Sequence, residues 1–159
     1  MIRYILSKKL SIVIYNMKKY YPVLTYAGTL PFTFCTLCFI FNIQTLPLLG
    51  QVNQVLGTYS VIISSFIAGS HWGIHLNLSD KWEVYLPIFS NINAIFIWIS
   101  FIIFPFKVML LILVFSFLAL WLIDQRLFKK DVISRRYFHT RSLVTLIVTI
   151  NLIISGIYA

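Results

Sequence analysis

Residues 106–123 read FKVMLLILVFSFLALWLI, and this stretch decides the fold class. Its only charge is Lys107, at the outset. A helix rises about 1.5 Å per residue, so such a run covers most of the ~30 Å hydrocarbon core of a bilayer. A helix that is apolar all round needs apolar surroundings all round.

Four further runs have the same character, over about residues 21–41, 53–76, 84–103 and 141–158. Composition agrees: the 159 residues are 60% hydrophobic and 11% charged, with a mean hydropathy of +0.90. A soluble domain carries about 25% charged residues. The expected fold class is all-α: a polytopic membrane protein, a bundle of five transmembrane helices with an N-terminal basic amphipathic segment. Spans of about 20 residues each leave no room for a second domain. The expected organisation is a basic interfacial segment over 1–19 and a five-helix transmembrane domain over 20–159.

Residues 1–19 contain no acid. Leu6, Leu10, Val13, Ile14 and Met17 share one helical face, and Arg3, Lys8, Lys18 and Lys19 lie largely off it. That pattern predicts a short helix lying in the membrane interface. A cleaved signal fits less well, because no small-residue cleavage site follows a continuous apolar core. A mitochondrial presequence is usually richer in Arg and Ser.

The formal net charge of +9 is concentrated at residues 3–19 and 126–141. Loop 44–52 carries no charge, and the turn near Pro105 carries Lys107 alone. Basic residues thus flank alternate ends of successive spans, which predicts the N-terminus inside and the C-terminus outside. Tyr20, Tyr21, Trp82, Tyr85, Trp121, Tyr137 and Phe138 gather at the inner ends as an aromatic belt. The expected partners are the lipid bilayer, anionic lipids at the basic inner face and other membrane-protein subunits. Nucleic acid is not expected.

Polar chemistry is concentrated in the second span, which ends Gly69-Ser70-His71-Trp72-Gly73-Ile74-His75. Ser65, Gly69 and Gly73 recur every four residues, a stripe suited to close helix packing. Ser64, Ala68, His71 and His75 lie on a different face. Two imidazoles four residues apart project from one face and can share a metal ion, ligate haem iron or relay a proton. The plainer reading is a pair of interfacial histidines hydrogen-bonded to backbone or to Asp. His71 and His75 are accordingly the candidate cofactor-binding residues, for haem or quinone, although no cofactor is the first expectation. No metal site and no catalytic residue is assigned.

Asp124 ends the fourth span and Arg141 opens the fifth, on the side that also carries His71, His75 and His139. His71, Asp124 and Arg141 therefore form a candidate inner-side polar cluster. It reads either as a clamp tying spans two, four and five, or as a pocket for an anionic or quinone-like headgroup. Asn91, Asn93 and Asn151 read as interhelical glue, with Asn91 and Asn93 about 200° apart. Cys35 and Cys38 have redox-motif spacing but sit in apolar surroundings that suppress thiol reactivity, so they read as packing residues. With four acidic residues in the chain, paired-carboxylate catalysis has little material. No glycine-rich phosphate loop is present.

Tyr26-Ala27-Gly28-Thr29-Leu30-Pro31-Phe32 opens the first span, the segment from Tyr59 to Gly73 fills the second, Asp124 closes the fourth, and Arg141-Ser142-Leu143-Val144-Thr145 opens the fifth. Over about residues 24–150 the chain resembles the transmembrane-protein-69-like family of bacterial and mitochondrial membranes. Gly-x-His-Trp-Gly is the most specific part of that likeness. The resemblance implies an inner-membrane bundle of about five helices and no particular reaction. It draws attention to Gly28, Pro31, Gly69, His71, Trp72, Gly73, Asp124 and Arg141; the basic segment before residue 20 lies outside it.

Three functional expectations remain. The first is a non-catalytic accessory subunit or assembly factor of a membrane complex, a respiratory one being the natural setting. The second is a haem-, quinone- or metal-binding redox protein using His71 and His75. The third is a small transporter.

Overall fold

The computed structural model describes residues 21–76 and 78–159. The interfacial helix expected over 1–19 lies outside the described residues. Among the described residues, five helices are long and apolar enough to cross a membrane: Tyr21–Ile40, Val52–His75, Trp82–Ile103, Phe106–Lys129 and Arg135–Tyr158. The all-α membrane bundle is the fold.

The first span is broken at Gly28–Thr29. Pro31, in the first turn beyond the break, has no N–H to offer the carbonyl one turn back. Residues 21–27 are helical, and α1 (Leu30–Ile40) resumes after the break. Tyr59 of the second span donates to the Gly28 carbonyl at 3.0 Å, so the interruption is tied to the bundle.

A short hairpin joins the first two spans. Strands β1 (Thr45–Leu46) and β2 (Gly50–Gln51) pair antiparallel, Thr45 opposite Gln51 and Leu46 opposite Gly50. The turn needs left-handed backbone at Leu48 (φ 69°) and Gly50 (φ 85°). Pro47 and Gly50 punctuate this connection as expected. The strands of two residues each are too short to carry a period that a sequence could reveal.

The remaining spans are α2 (Val52–His75), α3 (Trp82–Ile103), α4 (Phe106–Lys129) and α5 (Arg135–Tyr158). Pro105 precedes α4 in extended backbone, and the Ser134 side chain caps α5 by accepting from the Tyr137 N–H. Two helices extend past the expected span ends. The fourth runs to Lys129 rather than Ile123, because Leu127 continues its buried stripe at 0% exposure. The fifth begins at Arg135 rather than Arg141.

The apolar centre is built by Phe32, Leu56, Leu113, Phe117, Leu120, Val148 and Leu152. Phe32 meets Tyr59 and Phe117 edge-on. Lipid-exposed helices gain little from apolar contact alone, so polar links matter. The Thr36 and Ser155 hydroxyls share a hydrogen bond at 3.0 Å between α1 and α5. Ser64 and Ser116 share one at 2.9 Å, and Ser116 donates onward to the Asn93 Oδ1 at 2.8 Å. Ser90 donates to the Ala68 carbonyl, joining α3 to α2.

Candidate functional site

Helices α2 and α4 end, and α5 begins, at the same end of the bundle. His71 lies four residues before the end of α2, Asp124 five before the end of α4, and Arg141 six after the start of α5. At about 1.5 Å per residue these offsets put all three some 6–9 Å inside the helix ends. They meet there. His71 Nε2 donates to Asp124 Oδ1 at 2.9 Å, and Arg141 Nε donates to Asp124 Oδ2 at 3.0 Å. His71 and Asp124 are fully buried, and Arg141 is 5% exposed.

A carboxylate in such surroundings carries a large desolvation penalty unless both oxygens are engaged. Here each oxygen accepts from a different helix, so one side chain of α4 binds α2 and α5 together. With a neutral imidazole, the Asp124 and Arg141 charges cancel. A carboxylate only accepts, so the hydrogen of the His71 ring sits on Nε2. Span ends placed by hydropathy put Asp124 and Arg141 at the rim; the longer helices put them inside.

Aromatic residues and hydroxyls surround this cluster. Tyr21 and Tyr137 stack with centroids 5.5 Å apart. Thr145 follows Arg141 by one turn of α5 and is buried. Among the described residues, five buried side-chain polar atoms have no hydrogen-bond partner: Tyr21 Oη, His71 Nδ1, Arg141 Nη2, Thr145 Oγ1 and Asn93 Nδ2. The first four belong to residues of this end of the bundle. The Arg-x-x-x-Thr spacing was the sequence signal for Thr145. Tyr21 and Tyr137 carried only their belt position.

His75 does not join His71. Its Nδ1 donates to the Trp72 carbonyl of its own helix, and its ring meets Trp72 edge-on with centroids 5.1 Å apart. The two imidazoles therefore face different partners. His139 is exposed and stands apart. Among the described residues no group of three or more His, Cys, Asp or Glu gathers as a metal site would.

The stripe of Ser65, Gly69 and Gly73 turns away from the bundle. A Cβ added at Gly69 or at Gly73 would meet nothing within 4 Å. Close packing of α2 within this chain falls instead to the face of Ser60, Ser64, Ala68 and His71. The physical reason is electrostatic: the face bearing His71 must point inward to reach Asp124. Close approach occurs higher up, where a Cβ at Gly57 would fall 2.7 Å from the Phe101 ring.

The asparagines take separate partners. Asn91 Oδ1 accepts from the Trp72 indole at 3.3 Å, Asn93 binds Ser116, and Asn151 Nδ2 donates to the Ile147 carbonyl of its own helix. Cys35 and Cys38 are buried free thiols. A groove of about 220 Å³ between α3 and α4 is lined by Phe89, Ile92, Phe96 and Phe115 beside Asn93 and Ser116.

Outside the spans, Lys130 forms an ion pair with Asp80 and lies 5.6 Å from the centre of the Trp82 ring. The Trp82 N–H also donates to Asp80, at 3.0 Å. The Lys130 hydrogen bond, then this N–H, hold the Asp80 carboxyl below its ordinary value.

The model of one protein family, described as "Protein of unknown function (DUF3429)", matches residues 17–157. No curated protein and no solved structure matches the chain.

Proposed function

The chain belongs to the family of unknown function DUF3429, and from that premise we propose that it is a non-catalytic integral membrane protein, an accessory subunit or assembly factor of a larger membrane complex. The observation that carries this reading is the pairing at Asp124. The most polar residues of the spans are turned inward on one another, as a clamp between α2, α4 and α5. Outward, the bundle presents lipid-facing apolar side chains and the open small-residue stripe of α2, where a helix of another subunit can approach closely. The longest connection between described spans is residues 41–51, holding only a two-stranded hairpin.

Within that proposal the chain is transmembrane-protein-69-like, on the strength of the Gly69–Gly73 segment. Its setting is a bacterial or mitochondrial inner membrane, with a respiratory complex as the natural partner. The N-terminus and the 126–141 segment face the inner compartment and its anionic lipids, as their basic residues favour.

The test is extraction of the tagged protein from its native membrane in mild detergent, with quantification of what co-purifies. Recovery in fixed ratio with the subunits of one complex supports the reading. Recovery of the protein alone, under conditions that keep known complexes intact, overturns it.

A further inference from the structure

Among the described residues, the cluster at Asp124 leaves two nitrogens without partners, and they are placed alike. His71 Nδ1 is one carbon away from the Nε2 that binds Asp124 Oδ1. Arg141 Nη2 is one carbon away from the Nε that binds Asp124 Oδ2. Both residues are at least nine-tenths buried. Their needs are complementary. With its hydrogen on Nε2, the His71 ring has a bare lone pair at Nδ1 and requires a donor. Arg141 Nη2 carries hydrogens and requires an acceptor. Left unmatched, each buried group carries a desolvation cost that nothing offsets.

A hydroxyl group meets both needs at once, because it donates through its hydrogen and accepts at its oxygen. Tyr21 Oη and Thr145 Oγ1, also buried without partners, can each donate or accept in the same neighbourhood. A small cluster of polar atoms needing two to four hydrogen bonds is the setting in which proteins hold buried water.

We propose that the cluster is a binding site for a hydroxyl group, occupied by a water molecule that donates to His71 Nδ1 and accepts from Arg141 Nη2. The inference is independent of the partner proposed above. Its consequence is chemical. Water reaching Nδ1 makes that atom the proton-accepting position of the cluster. Among the described residues, the charged and titratable groups around it are Asp124 of α4, Arg141 and Tyr137 of α5, and Tyr21 of the first span.

The experiment uses the full chain, free of any histidine tag, in lipid nanodiscs with ¹⁵N-labelled histidine. The chain has three histidines. His75→Ala with His139→Ala leaves His71 as the single imidazole and spares the clamp. At neutral pH the His71 ring is expected as the Nε2–H tautomer, with magnetisation transferred to it from water. The wild type supplies an internal contrast, since the bond to the Trp72 carbonyl requires His75 as the Nδ1–H tautomer. Arg141→Lys keeps a cation beside Asp124 but removes Nη2, and most of the water transfer to His71 is expected to be lost. An Nδ1–H tautomer at His71 would overturn the proposal. So would a His71 ring that in the wild type receives no transfer while the exposed His139 does, or transfer unchanged in Arg141→Lys.

Discussion

His71 and Asp124, fifty-three residues apart in the chain, meet at 2.9 Å, and neither side chain is exposed at all. The contact explains why α2 presents the face it does. It also predicts an asymmetry between chemically similar substitutions. His71→Gln retains an N–H near the position of Nε2 and should cost little. His71→Leu strips one oxygen of Asp124 and should cost about 1–3 kcal/mol or more, the penalty of an unsatisfied buried acceptor. Thermal unfolding in detergent, read by circular dichroism, separates the two.

His75 should behave unlike its neighbour one turn away. It binds its own backbone and packs on Trp72 at the bundle surface. His75→Ala should change stability by no more than about 0.5 kcal/mol, the usual range for surface substitutions. A loss as large as that of His71→Leu, in the same unfolding assay, would contradict this assignment.

The glycines of α2 divide into two kinds. Gly57→Ala places a Cβ 2.7 Å from the Phe101 ring and should destabilise by roughly 1–3 kcal/mol through overpacking. Gly69→Leu and Gly73→Leu face open space and should leave the isolated chain as stable as before. If the stripe seats a partner helix, these two variants lose the co-purifying subunits without losing the fold. Melting curves and subunit ratios measured on the same preparations check both halves.

Much of this fold was legible in residues 106–123, whose length and apolarity admit only a membrane span. The same hydropathy that located the spans misplaced two ends. After Ile123 the polar residues begin, yet Leu127 keeps the helical period and is fully buried. A window average cannot see the two apolar residues Leu127 and Phe128 set between Arg126 and Lys129. Asp124, Arg141 and His71 were legible as residues of one side, from the order of spans alone. Which face of α2 turns inward was not, because Ser65-Gly69-Gly73 and Ser64-Ala68-His71 are both small or polar. That choice is made by a carboxylate on another helix. The partner that the freed Gly28 carbonyl finds is likewise distant, the hydroxyl of Tyr59.

Acid should act on the Asp80–Lys130 pair with a defined sign. The Asp80 carboxyl is lowered in the folded protein, first by the Lys130 hydrogen bond. Its contribution is therefore present above the unfolded value, about pH 4, and is lost as pH falls through the lower folded value. Both side chains are exposed, so the effect on stability is small. Lys130→Ala should move the Asp80 titration upward toward the ordinary value, with unfolding at neutral pH nearly unchanged. Carboxyl ¹³C shifts followed with pH read this directly.

The central claim is that Asp124 and Arg141 work as a pair inside the bundle, and a double-mutant cycle tests it most directly. Asp124→Leu, Arg141→Met and the double variant would be unfolded under one set of conditions. Each single change leaves a buried charge alone and is expected to cost about 3–5 kcal/mol. The double variant replaces a buried pair by apolar groups and is expected to recover at least half of the summed loss, since such replacements are often neutral. Strict additivity, the double variant losing the full sum of the two, would contradict the account.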